Sequence, residues 1–206
     1  MLANRFSWSA GLKKNCISID GSAFTSTYSW HYVVLTWDGS SMVLYVDGTA
    51  TSSGISKDFA DCLEYSGKLI FGQDGDFSAG KKMGMEQDSV AMYHRAWAAS
   101  EIVSGRRYVV SDDSDLYALW SDSSGTDATA NGNVATITIS SVGTGCTEAL
   151  KLKGWSYGSV MSSGSWVFPA QQSSYYFSTV STFVLSTTYT IETWVKPFST
   201  SSSYSW

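Results

Sequence analysis

Trp30-His31-Tyr32-Val33-Val34-Leu35-Thr36-Trp37-Asp38-Gly39-Ser40-Ser41-Met42-Val43-Leu44-Tyr45-Val46-Asp47-Gly48 decides the fold of this chain. Two apolar runs rich in β-branched and aromatic residues flank Asp38-Gly39-Ser40, which reads as a hairpin turn. A second Asp-Gly, at Asp47-Gly48, ends the second run. Successive side chains of a strand point to opposite faces. Trp30, Tyr32, Val34 and Thr36 therefore share one face, and His31, Val33, Leu35 and Trp37 the other. Both sets carry large apolar groups, so the strand is expected to be covered on both sides, as in a sandwich.

The composition points the same way. Nine Trp, twelve Tyr and nine Phe against two Pro favour strands joined by turns over helices. At 206 residues and 43% hydrophobic content, a single all-β sandwich domain is expected over 1–206. The net charge of −5 argues against a nucleic-acid partner, because no Lys/Arg cluster stands ready to neutralise phosphates. No run reaches the ~18 apolar residues of a membrane span. No signal peptide is visible at Met1, where Asn4 and Arg5 interrupt any apolar segment. Cys16, Cys62 and Cys146 are open to one disulfide plus a thiol or to three thiols, and none has C-x-x-C spacing. There is no Asn-x-Ser/Thr sequon.

Outward from the hairpin, Phe6–Trp8 and Leu12–Asp20 read as short strands, with Asp20-Gly21 as a turn. Gly54–Ser66 is polar and irregular and reads as a loop. Lys68–Gly72 is the next strand, running into Gln73-Asp74-Gly75-Asp76-Phe77-Ser78-Ala79-Gly80, a loop crowded with oxygen ligands. Asp88–Tyr93 is a strand with Val90 and Met92 on one face. A short helix is expected near residues 98–105, with Ser100-Glu101 at its start and Gly105 at its end. Ser111–Asp115 is an acidic connector, followed by Leu116–Trp120 and a polar, Gly-containing stretch over 121–133. Val134–Ile139 and Ala149–Leu152 alternate, and 154–182 is low in charge and crowded with Ser, Tyr and Trp.

The opening string resembles the W-H-H-V-A-L-T-Y-D-G-S…L-Y-V-D-G hairpin of laminin-G-like domains, in the concanavalin-like jelly-roll group that also includes pentraxins. Gln87 to Ile102 is similar to the I-D-E-V-R-I-Y-N-R-A-L-S…E-I strand and helix of that group, with Asp88, Val90, Tyr93, Arg95, Ala96 and Glu101-Ile102 matching in place. Leu116 to Asn133 resembles the L-x-A-x-W…D-x-S-G…G-N that opens such a domain, and Tyr189–Pro197 resembles its F-T-I-E-A-W-V-K-P strand. The resemblance implies a two-sheet antiparallel jelly-roll sandwich in permuted order: 1–110 matches the family's second half and 112–206 its first. Two arrangements fit. A circular permutant closes on itself, whereas neighbours that complete each other's halves build a filament or array. The reading favoured from sequence is self-association with neighbouring copies, because the chain breaks between two expected strands.

Catalysis is weakly supported. Retaining glucanases of this fold need carboxylates in E-x-D-x-x-E spacing, with nucleophile and acid/base about 5 Å apart. Glu86-Gln87-Asp88 begins such a pattern, but the third position is Ala91. His31 and His94 stand where the family has ordinary strand residues. The 73–80 loop is the best site by residue type, since calcium takes six to eight hard oxygens; a solvated polar turn is the plain alternative. It resembles the G-Q-E-Q-D-S-F-G-G calcium loop of pentraxins. That likeness implies metal ligation by Gln73, Asp74, Asp76 and Asn4, with Gly75 costing one ligand. The expected function is a non-catalytic extracellular or cell-surface adhesion module. The alternative is a calcium-assisted glycan-binding lectin, with the Trp residues available to stack on sugars or to serve as core.

Overall fold

The structure is a computed structural model and describes residues 5–8, 19–22, 26, 28–55, 66–67, 70–71, 84–103, 114–121, 124–138, 141–142, 165–168, 176–180, 183–184 and 187–198. Its strands are β1 Arg5–Trp8, β2 Ile19–Ser22, β3 His31–Trp37, β4 Ser41–Val46, β5 Thr49–Ile55, β6 Ser66–Gly67, β7 Ile70–Phe71 and β8 Met85–Tyr93. They continue as β9 Leu116–Trp120, β10 Ala135–Thr138, β11 Ser141–Val142, β12 Trp166–Phe168, β13 Tyr176–Thr179, β14 Phe183–Val184 and β15 Tyr189–Pro197. The helix α1 covers Ala99–Val103. Among the described residues, all strand pairs are antiparallel, as a jelly-roll sandwich requires.

The largest sheet runs β11-β12-β8-β15-β3-β4-β5, with β9 on the same edge of β8 as β12. β15 lies at its centre: Thr193 faces Val33 on one side and Val90 on the other. Residues from 1–110 and from 112–206 thus share one sheet within the chain. Arg95 ties them again, its guanidinium donating to Glu101 at 2.8 and 3.0 Å and to Asp115 at 3.0 Å. The hydrogen bonds to Glu101 hold the Arg95 pKa above its ordinary value. Glu101 also accepts from the Ala98 amide at 2.8 Å, capping α1.

β3 is buried along its whole length, and its two faces join different cores. Val33, Leu35 and Trp37 pack with Leu44, Val90, Met92, Trp120, Trp166, Ile191 and Val195, and Ala135 brings β10 over that side. Tyr32 and Val34 pack with Tyr45, Ala91, Tyr93, Leu119 and Trp194, where Trp97 and Ile102 bring the helix region down. Trp37, Trp120 and Trp166 are among the most enclosed side chains. At about 200 Å² each and ~25 cal/mol per Å², each contributes up to about 5 kcal/mol.

The turns follow from their chemistry. Asp47 (φ +51°) and Gly48 (φ +82°) form the two-residue turn joining β4 to β5, both in the left-handed region that a tight hairpin needs. In the β3–β4 turn, Asp38 accepts from the Ser40 and Ser41 amides at 2.8 and 2.7 Å and from the Ser40 hydroxyl at 2.8 Å. Burial pushes its pKa up, but these hydrogen bonds outweigh it and leave the carboxyl below its ordinary value. After β9, Asp127 accepts from the Leu119, Thr129 and Asn133 amides, at 2.9, 2.9 and 3.0 Å, organising the polar stretch.

Three expectations need correction. Asp20-Gly21 is not a turn but lies within β2, where pairing of Ser7 with Asp20 and Phe6 with Gly21 supplies the partners a turn would otherwise provide. The loop expected from Gly54 begins later, because β5 continues to Ile55 against Ser41 of β4. β8 starts at Met85, three residues before Asp88, paired with Phe168 and Pro197.

Gly125 has φ +73°, and a Cβ there would lie 1.9 Å from the Ala135 carbonyl oxygen. Gly125→Ala is expected to destabilise the fold by roughly 2 kcal/mol or more in urea denaturation. Asp38→Ala is expected to cost about 0.5–1 kcal/mol at neutral pH. A carboxyl with a lowered folded-state pKa stabilises above its unfolded value and loses that contribution as pH falls through the folded one. The Asp38→Ala deficit should therefore shrink as denaturation is repeated below about pH 4.

Candidate functional site

The β3–β15 register builds a stripe of aromatic and polar side chains on one face of the sheet. Glu192 faces Val34, and Trp194 faces Tyr32, their rings 5.2 Å apart. Glu192 is fully enclosed, accepting from the Tyr32 hydroxyl at 2.5 Å and the Tyr93 hydroxyl at 3.0 Å. Beyond Trp194, the Lys196 Nζ lies 5.2 Å above the half-buried Trp30 ring and forms an ion pair with Glu86 of β8. At the end of the same two strands Tyr28 stacks on Phe198, centroids 6.0 Å apart, with the Tyr28 amide donating to the Pro197 carbonyl at 2.8 Å.

Exposure grows along this line. Tyr32 and Trp194 are 1% and 3% exposed, whereas Tyr28 is 63% exposed. Tyr28 also has φ +60°, a conformation that costs a bulky L-residue about 1–2 kcal/mol. The fold therefore holds a large ring in solvent at a backbone cost, the kind of outlier that points to a role outside packing.

β8 supplies the flank. Trp194 faces Asp88 and Thr193 faces Val90, so Ser89 (φ +44°) is an extra residue bulged out of the ladder. Val90 and Met92 accordingly join one core while Ala91 and Tyr93 join the other. Position 91, where a glucanase-like pattern needs its third carboxylate, is a fully buried alanine facing Leu119 and Glu192. Glu192 is thus the carboxylate next to that position, yet both its oxygens are engaged by tyrosine hydroxyls.

His31 lies on the other face of β3, 2% exposed. Its Nδ1 is 2.7 Å from Asp47 Oδ2, and its Nε2 is 3.1 Å from the Ser26 hydroxyl and 2.9 Å from the Ser26 carbonyl. The outline is that of a serine–histidine–carboxylate relay. Nε2, however, lies closer to the Ser26 carbonyl than to its hydroxyl, a contact that ties the backbone of residue 26 to the ring rather than presenting the hydroxyl to a base. Asp47 also accepts from the Tyr32 amide at 2.9 Å, so the imidazole clamps residue 26 and the turn at residue 47 to β3.

His94 stacks on Tyr117 at 4.0 Å, and burial lowers its pKa against the opposing pull of Asp115. The expected calcium ligands Gln73, Asp74, Asp76 and Asn4 lie outside the described residues, as do Cys16, Cys62 and Cys146. Among the described residues, no cluster of three His, Cys, Asp or Glu side chains is placed to hold an ion. Sequence reading put Trp30 and Tyr32 on one face but missed Glu192, Lys196, Tyr28 and Phe198. A period-two reading of Tyr189–Pro197 would have aligned Glu192, Trp194 and Lys196.

Residues 3–103 match a laminin-G family model described as the concanavalin A-like lectin/glucanases superfamily. That stretch, holding β1 to β8 and α1, is a laminin-G-like sequence of the concanavalin A-like group. Such domains are generally non-catalytic binding modules and typically extracellular. Neither the curated proteins nor the solved structures yielded a match. No helix among the described residues is long and apolar enough to cross a membrane.

Removing one donor from an enclosed carboxylate leaves it under-solvated. Tyr32→Phe is expected to lower stability by about 1–3 kcal/mol, and Tyr93→Phe by a similar or smaller amount, measured by chemical denaturation.

Proposed function

We infer that this protein is a non-catalytic extracellular adhesion module that binds ligands through the open end of its central sheet. The observation that supports this most directly is the packing at position 91. Where a cleaving relative would need an acid reaching substrate, the chain places Ala91 against Leu119, with the neighbouring Glu192 sealed by Tyr32 and Tyr93. A face filled this way can hold a ligand at its rim but offers no pair of opposed carboxylates for displacement. Incubation with soluble polysaccharides is expected to give reversible retention and no new reducing ends. Release of reducing ends that Glu86→Gln abolishes would overturn the reading.

A second reading, the repeating subunit of a surface filament, draws on the position of β15. Because it uses both edges, its exchange between neighbours would knit copies through the same register. Sedimentation velocity separates the two readings. A closed module runs at the 22.4 kDa of the chain. Strand exchange gives a concentration-dependent ladder of multiples.

A further inference from the structure

We propose that Lys196 and Glu86 are the two ends of an intramolecular amide bond that staples β15 to β8, a modification site that needs no other reactant. The two residues are register partners on adjacent antiparallel strands, an arrangement that sets Cβ atoms about 4.5–5.5 Å apart. Lys196 Nζ is in direct contact with Glu86 Oε2, and the two side chains are 21% and 11% exposed. The half-buried Trp30 ring, 5.2 Å from Nζ, gives the amine an aromatic wall in place of water.

Glu86 differs from the other enclosed carboxylate of this face in how its charge is held. Glu192 accepts from two tyrosine hydroxyls, one on each oxygen. Among the described residues, the buried Oε2 of Glu86 accepts no hydrogen bond and has the Lys196 ammonium as its contact. A buried ion pair offsets its desolvation only when further hydrogen bonds complete it. Condensation replaces both charges by one neutral amide, so this site favours the product more than water does.

The step balances within the pair. One proton passes from the ammonium to the carboxylate, and the Nζ lone pair adds to Glu86 Cδ. A second Nζ proton goes to the hydroxyl on Cδ, the C–O bond breaks, and one water leaves. The amide nitrogen keeps the third proton. Holding amine and carboxyl together is equivalent to a reactant concentration on the order of 10⁵ M or more. Enclosure keeps water from reversing the reaction. The bond closes the chain between residues 86 and 196 and locks the register of β15, whatever the rim of the sheet binds.

The test is the intact mass of the folded full chain after reduction and denaturation, beside Lys196→Arg, which keeps the positive charge but does not form the amide. The wild type is expected to be one water lighter than its sequence, and Lys196→Arg to show its full sequence mass. Trypsin is expected to release residues 83–95, bounded by Lys82 and Arg95, joined through Glu86 to the peptide that carries Lys196. This map is read on the wild type alone, so it holds whether or not the variant folds. A wild type at its full sequence mass, with 83–95 released as a free peptide, would overturn the staple. So would a loss of water that persists in Lys196→Arg. Exchange of β15 between copies would place the same amide between chains, as a ladder that survives boiling in reducing SDS. That result would support the bond and the filament reading together.

Discussion

The structure depends on β15 being paired along both edges. A strand with an open edge presents a row of unmet amides and carbonyls, and β3 and β8 would each have one without it. With β15 between them, all three are buried along most or all of their length. The same pairing separates two apolar clusters, one on each face of the sheet. Strands from both parts of the sequence meet here, so the core forms only when 189–197 reaches 31–37 and 85–93.

Polar groups on this strand are handled by position. Glu192 is sealed among tyrosines, Thr190 accepts from the Trp97 amide at 2.9 Å and donates to the Arg95 carbonyl at 2.8 Å, and Lys196 leans on Trp30 near the rim. Buried groups are thereby satisfied inside, while pairing capacity facing solvent is kept for the end of the sheet. The bulge at Ser89 fits this division. One extra residue lets Asp88 face Trp194 near the rim while Val90 returns to the core opposite Thr193.

Much of the fold was legible because alternation and turn chemistry are local. The two-faced burial of His31–Trp37 follows from alternation, the short helix from its end signals, and Leu116–Trp120 and Tyr189–Pro197 are placed by their resemblance to family motifs. What stayed hidden depends on partners distant in sequence. Asp20-Gly21 carries a turn signature, yet pairing with β1 keeps it extended. Thr49–Ile55 has small polar residues and is a strand because β4 offers an edge. Ser89 adopts a positive φ with no glycine to mark it. The Glu192 network joins residues 160 and 99 positions apart, and Tyr28 gains its meaning only from Phe198 across the sheet.

The central claim is that β15 sits between β3 and β8 of its own chain in this register. It is tested most directly by cross-strand NOEs on a sample mixing differently labelled chains. The account predicts contacts from Ile191 and Thr193 to Leu35 and Val33 on one side and to Met92 and Val90 on the other, all within a single chain. The same contacts observed only between differently labelled chains, or a β15 register shifted by one residue, would contradict it.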